Sequence, residues 1–285
     1  MDQGFIILTL LSFLTGLVAG YLSGLLGIGS GVLMVPAAMF ILEMDFPEAK
    51  ALSLFVIMFI SPIGMWRHHT HGNLHPRTGL YLGIPGVCGS LLGVAIAGLI
   101  DVIYLKALFA LILFFAAYRM ITGNRPSPGS PATGSGKGTK AQNSSDRDSP
   151  VQAPSSTNTV EEAFLTRKRS LPLVGFVGGF SAGLLGIGGG IIMVPSMVFL
   201  SYPIHSAVAN SLMVVFLNAG SATIANAIWG EIEIVRALPM MIGAVLSINK
   251  GADMSVTIDR DRLRTYFGYF MILIGCYMLY RTWIG

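Results

Sequence analysis

Two nearly identical glycine-rich phrases are the residues of this chain best suited to bind a ligand. GLLGIGSGVLMVP covers residues 24–36 and GLLGIGGGIIMVP covers residues 183–195, with ten of thirteen positions identical. Glycine lets a chain turn sharply, and each turn precedes an apolar segment that begins a new helix. A helix N-terminus carries unpaired N–H groups and about half a positive charge, so it attracts anions. The paired phrases therefore predict an anion-binding site built from backbone N–H groups.

The residues predicted to bind the anion fall into two groups, one of backbone turns and one of side chains. The first group is the turn of each phrase: Gly27, Gly29, Ser30, Gly31, Gly186, Gly188, Gly189 and Gly190. The second group lies on the apolar segment 206–229: Asn210, Ser211, Asn218 and Asn226. Buried amides in lipid need partners, so these side chains either donate to an anion or hydrogen-bond to a neighbouring helix. The sequence leaves both roles open.

A further row of glycines accompanies each phrase and has a structural explanation. Residues four apart lie on one side of a helix, and small residues at that spacing let two helices approach closely. Two sets have this spacing: Gly16, Gly20 and Gly24, and Gly175, Gly179 and Gly183. Close packing explains these two sets, whereas it explains the compact GIGSG and GIGGG turns less well.

Lys250 and Asp253 are charged residues within the apolar segment 237–258. Three residues apart, they can meet on one helix face, and each would cost about 2.5–3.5 kcal/mol at the bilayer centre if unpaired. One hypothesis is that Lys250 binds the anion and Asp253 carries a coupling proton. The alternative is that both lie near the cytoplasmic end of the segment and reach the lipid headgroups.

The composition indicates that these segments lie in a lipid bilayer. Of 285 residues, 53% are hydrophobic and only 11% are charged, against about 25% charged residues in soluble domains. The formal net charge is +4, but the basic residues sit in loops between the apolar segments. They therefore favour an oriented membrane protein over a nucleic-acid-binding one.

We predict an all-α polytopic membrane protein made of two repeats of about five segments each. Two segments, 31–42 and 190–202, are too short to cross a hydrocarbon core of about 30 Å, and we expect them to be glycine-interrupted or re-entrant. The full set of apolar segments is 5–26, 31–42, 50–66, 78–100, 102–121, 171–186, 190–202, 206–229, 237–258 and 264–282.

Sequence matches beyond the glycine phrases extend the repeat over both halves. AKALS at 49–53 matches AVANS at 207–211, and Asp101 matches Asp259. We therefore predict three parts: a first membrane repeat (1–121), a disordered cytoplasmic linker rich in Ser, Pro and Gly (122–170), and a second membrane repeat (171–285).

An odd number of segments in each half predicts that the two halves are inverted relative to one another. Loop 67–77, linker 122–170 and loop 259–264, which carry most of the basic residues, then share one side. By the positive-inside rule this side is cytoplasmic, and both termini lie outside. The opposite side carries mostly acidic residues: Asp2, Glu43, Asp45, Glu48, Asp101, Glu231 and Glu233.

Three patterns that suggest enzymes or metal sites have better explanations. GIGGG lacks the preceding strand of a dinucleotide site, and GFSAG around Ser181 lacks the strand–turn–helix context of a hydrolase nucleophile. The histidines at 68, 69, 71 and 75 lie in a loop without a carboxylate or cysteine, which favours a solvated loop. We therefore expect no enzyme activity, no cofactor and no bound metal.

The whole pattern resembles the sulfite exporter TauE/SafE family of membrane permeases. The resemblance is carried by both glycine phrases, by AVANSLMVVF after the second, by the HGN and WGE turns and by IDRDRLRTYFGYFMILIGCYMLYR near the C-terminus. It implies a secondary transporter of small anions, such as sulfite, sulfonates or related organic acids, in the plasma or inner membrane. The expected partners are that anion and the bilayer, with protons as a candidate coupling ion; the oligomeric state is left open.

Alternating access is the leading hypothesis for how such a chain works. One inverted half would move against the other and expose the glycine turns to each side in turn. An anion channel would need a continuous polar lining, whereas the polar residues here cluster in the second half. A membrane enzyme would need a nucleophile and a base in apposed segments, which the sequence does not provide.

Overall fold

The computed structural model describes residues 3–26, 31–70, 74–122, 169–254 and 260–284. All the regular structure in these ranges is helical, and six of the helices are long and apolar enough to span a membrane. The all-α polytopic fold is thereby confirmed. The helices are α1 (Gln3–Leu26), α2 (Gly31–Ile41), α3 (Phe46–Thr70), α4 (Pro76–Ala97), α5 (Val102–Thr122), α6 (Leu171–Leu185), α7 (Gly190–Phe199), α8 (Ile204–Ile228), α9 (Ile234–Met254) and α10 (Arg260–Ile284).

The short segments predicted beside the glycine turns are short helices in the structure. Helix α2 has 11 residues and α7 has 10. At about 1.5 Å per residue, each is roughly 15–17 Å long, half of a hydrocarbon core. Helix α2 begins at Gly31 within the first glycine phrase, and α7 begins at Gly190 directly after the second glycine turn. Most of the predicted linker, residues 123–168, lies outside the described ranges.

Two pairs of helices pack with their backbones in close contact. In the first pair, Gly16 of α1 lies against Met240 of α9, and a Cβ added at Gly20 would lie 2.6 Å from the Ala244 Cα. Only glycine fits such an approach, which confirms the packing role predicted for this spacing. Because contact positions advance together along both chains, α1 and α9 run parallel.

The second close pair repeats this arrangement with helices α4 and α6. Gly175 lies against Leu82, and Gly183 lies against Ser90, so these helices also run parallel. Each pair joins the first helix of one half to the fourth helix of the other half. The two halves of the chain are therefore interleaved rather than side by side.

The remaining contacts group the helices into two bundles. The first bundle comprises α1, α2, α3 and α9, and the second bundle comprises α6, α7, α8 and α4. Helices α3 and α8 join the two bundles, and they run antiparallel, with Gly64 beside Leu212 and Gly220 beside Met58. Helices α5 and α10 also pack against each other. Helices α3 and α8 are the third helices of their halves, and the inverted arrangement of the two halves stays a prediction.

Candidate functional site

The glycine turn of the second half breaks the chain between α6 and α7. Gly186, Gly188 and Gly189 have φ values of +77°, +70° and +81°, in the left-handed region that side-chain-bearing residues rarely adopt. Gly186 caps the C-terminus of α6, donating its N–H to the Ala182 carbonyl at 2.8 Å. Gly189 is the N-cap residue of α7. The turn predicted from the sequence is therefore present.

The two glycine phrases meet in the structure. Gly31, the first residue of α2, packs on the second turn so closely that an added Cβ would lie 2.6 Å from the Ile187 Cα. The N-terminus of α2 therefore lies against the turn that precedes the N-terminus of α7. Gly27, Gly29 and Ser30, which were also predicted to bind the anion, lie outside the described residues. We call Gly31 together with residues 186–190 the glycine junction.

Helix α3 supplies the polar side chains that face the glycine junction. A Cβ added at Gly186 would lie 2.8 Å from the Lys50 Cγ, and the Ser53 hydroxyl donates to the Gly186 carbonyl at 2.9 Å. Apolar side chains complete the surroundings, since a Cβ at Gly188 would lie 3.3 Å from Ile57 and 3.2 Å from Val215 of α8. The junction is thus enclosed by helices from both bundles.

Lys50 is a buried cation at this site that sequence reasoning missed. Its side chain is only 2% exposed, and its Nζ lies 3.5 Å from Oε2 of Glu231, beyond the end of α8. Glu231 was assigned only to an acidic outer loop, and no feature of the sequence shows that it reaches Lys50. The repeat did contain a signal for Lys50. In the matched segments AKALS and AVANS, this charged residue stands where the second half has the apolar Val208.

The ion pair between Lys50 and Glu231 is a loose one. Charge-assisted N–H···O bonds are usually about 2.7–2.9 Å long, so the 3.5 Å separation is loose. Glu231 Oε2 has no hydrogen-bond partner among the described residues. A buried charge needs compensation. The Lys50 stem packs on Gly186, which caps the C-terminus of α6 in the turn that leads to the N-terminus of α7. A buried cation and the turn before a helix N-terminus therefore lie next to each other.

The polar side chains of α8 that were predicted to bind the anion fall into two groups, with and without a hydrogen-bond partner among the described residues. Asn210 accepts a hydrogen bond from the His75 N–H at 3.1 Å and donates to the Ser206 carbonyl, while Ser211 donates to the Val208 carbonyl. These two residues therefore hold the structure around the start of α8. Asn218 and Asn226 are fully buried, and within the described ranges neither amide has a hydrogen-bond partner. Unsatisfied buried amides are rare, so these two are the better candidates to meet a ligand.

Lys250 and Asp253, the predicted coupling residues, lie near the end of α9. The Lys250 side chain is exposed, whereas the Asp253 side chain is not among those that the structure describes. An exposed position fits the alternative in which Lys250 reaches the headgroups rather than the anion. Their coupling role stays a prediction.

Comparison with known proteins places the chain in a family. The model of the sulfite exporter TauE/SafE family matches residues 12–278. The chain is 28% identical over 287 residues to the probable membrane transporter protein YunE of Bacillus subtilis (strain 168), covering 98% of both proteins. It is also 28% identical over 295 residues to a probable membrane transporter protein of Methanocaldococcus jannaschii, again covering 98% of both. No solved structure matches the chain significantly. The chain therefore belongs to the sulfite exporter TauE/SafE family of membrane transporters.

Proposed function

We propose that the protein carries small anions, such as sulfite, sulfonates or related organic acids, through the membrane by alternating access. The observation that carries this proposal is the buried Lys50 beside the glycine junction. A buried cation packed against the turn that precedes the N-terminus of α7 favours a negative ligand, because electrostatic attraction is stronger in an apolar surrounding than in water. Small oxyanions suit such a site, because several oxygens can accept from backbone N–H groups at once.

Differences in helix packing support a proposal for which parts of the molecule move. Helix α1 is joined to α9, and α4 to α6, through backbone contacts that leave no room for sliding. By contrast, α3 and α8 meet through side chains such as Leu212 and Met58. We therefore propose that the two bundles, rather than the two halves of the chain, move against each other. This motion would expose the junction, which lies between α3 and α8, to each side in turn.

Uptake into proteoliposomes tests the proposed transport. Purified protein is reconstituted and supplied with sulfite, thiosulfate, sulfoacetate or taurine, with and without a pH gradient. We expect at least one of these anions to accumulate faster than in protein-free vesicles, and Asn218→Ala to slow its uptake. If none of them moves under any condition while the protein remains folded, the anion-permease proposal is wrong. Unchanged uptake by Lys250→Ala would rule out anion binding by Lys250.

Side-specific cysteine labelling tests the proposed orientation. Single cysteines replace Ser135, in the linker, and Leu99, an exposed residue between α4 and α5, after Cys88 and Cys276 are changed to serine. We expect a membrane-impermeant maleimide to label Leu99→Cys from outside intact cells and Ser135→Cys only after the membrane is opened. Labelling of Ser135→Cys from outside intact cells would contradict a cytoplasmic linker.

A further inference from the structure

Four charged side chains line a polar pocket away from the glycine junction. The pocket has a volume of about 480 Å³ and contains Glu43, Asp45, Lys106 and Arg281 among its lining residues. It lies where α2 ends, α3 and α5 begin, and α10 ends, so it is at the level of the membrane surface. None of these four side chains forms an ion pair with another residue in the part of the chain that the structure describes. Two positive and two negative groups thus line one pocket without an ion pair to any described residue.

An apolar groove lies deeper in the membrane beside this pocket. It has a volume of about 500 Å³ and is formed by α1, α2 and α10. It runs from Leu22 and Phe270, at membrane depth, to Leu11 and Tyr277, nearer the helix ends. On α1 the 11 steps from Leu11 to Leu22 span about 16 Å at 1.5 Å per residue. The groove therefore follows the direction of a lipid chain.

Phe40 joins the groove and the pocket into one cleft. Its side chain lines both cavities, and it packs edge-on against Tyr277 with ring centroids 4.9 Å apart. Chain positions advance from groove to pocket on two helices, from Ile274 to Arg281 on α10 and from Leu33 to Phe40 on α2. The cleft is consequently apolar at membrane depth and charged at the surface.

We propose that this cleft binds one phospholipid with an ethanolamine headgroup. The acyl chain lies in the apolar groove, where the surrounding side chains bury it. Lys106 and Arg281 hold the phosphate, and Glu43 and Asp45 hold the ammonium group. The charges of the pocket add to zero, as do those of this headgroup, whereas an anionic glycerol headgroup would leave both carboxylates unmatched. A second copy of the chain would place apolar side chains against the groove but would not satisfy the four charges.

Native mass spectrometry of the full chain, taken from nanodiscs with equal phosphatidylethanolamine and phosphatidylglycerol, tests the proposal. We expect one retained phosphatidylethanolamine per protein. The double variant Lys106→Gln/Arg281→Gln should lower its retention about tenfold, since tenfold corresponds to about 1.4 kcal/mol and two charge-assisted contacts are lost. Glu43→Gln/Asp45→Asn should shift the preference towards phosphatidylglycerol. Val18→Trp, which fills the groove, should remove both lipids.

A matched double variant controls for the loss of positive charge. Arg77→Gln/Arg119→Gln removes two exposed cations outside the cleft and should retain phosphatidylethanolamine as the wild type does. Equal retention of the two lipids, no retained lipid, or a lipid-free dimer would each overturn the proposal. None of these results bears on transport through the glycine junction, because the cleft and the junction share no lining residue.

Discussion

Replacing Lys50 with glutamine should weaken the apparent affinity for the transported anion by about 10- to 100-fold. Glutamine keeps a polar side chain of similar reach but removes the positive charge beside the glycine junction. A hydrogen bond to a charged group contributes about 1.5–3 kcal/mol, which corresponds to that loss of affinity. The measurement is the concentration dependence of initial uptake into proteoliposomes by the wild type and Lys50→Gln.

Two further variants separate loss of binding from loss of structure. Lys50→Gln leaves the partly exposed Glu231 without its cation, which should lower the thermal stability of the protein. The double variant Lys50→Gln/Glu231→Gln removes both charges, so it should recover the thermal stability but not the transport. Arg119→Gln removes an exposed cation elsewhere and should transport normally. Normal affinity in the double variant would show that Lys50 does not hold the anion.

Cross-linking the two bundles to each other should reduce transport to the background rate. A Gly64→Cys/Leu212→Cys pair places thiols on α3 and α8, where a Cβ at Gly64 would lie 3.1 Å from the Leu212 side chain. A short bifunctional thiol reagent then fixes the contact that must change when the bundles move. Uptake is measured before cross-linking, after it, and after a reducing agent has released a cleavable cross-link, which should restore transport.

A second cross-link distinguishes moving bundles from moving halves. Gly20 of α1 lies against Ala244 of α9. Three residues further along both helices are the buried residues Ser23 and Ser247, which we therefore expect to lie close together. A Ser23→Cys/Ser247→Cys cross-link joins the two halves of the chain but stays within the first bundle. We expect it to leave most of the uptake rate intact. Arrest of transport by this cross-link alone would favour movement of one half of the chain against the other.

The helices and the glycine turn followed from local patterns in the sequence. Apolar runs gave the helices to within a few residues, because burial in lipid requires a continuous apolar stretch. The turn at Gly186, Gly188 and Gly189 was predictable because backbone geometry limits which residues can adopt positive φ. The row of Gly16 and Gly20 also indicated close packing, although not which helix would be the partner.

The Lys50–Glu231 pair and the interleaving of the halves depend on contacts between distant parts of the chain. Lys50 and Glu231 are far apart in sequence, and each stands at the end of an apolar segment, where a charge usually meets water. Lys50 is buried because the second glycine turn packs against it. Helix α1 pairs with α9 because glycines let the two backbones approach closely. Neither arrangement leaves a periodic pattern that a single sequence can display.

The exchange of helices between the halves also constrains how the chain is made. During synthesis, α1 enters the membrane before α9 exists, and α9 begins more than 200 residues beyond the end of α1 at Leu26. The glycine-lined face of α1 must therefore wait among lipids, or against a temporary neighbour, while the seven described helices between α1 and α9 are inserted. Helix α4 likewise has no lasting partner until the ribosome has passed the linker. Neither half can reach its final packing alone, so tertiary assembly has to follow near-complete translation.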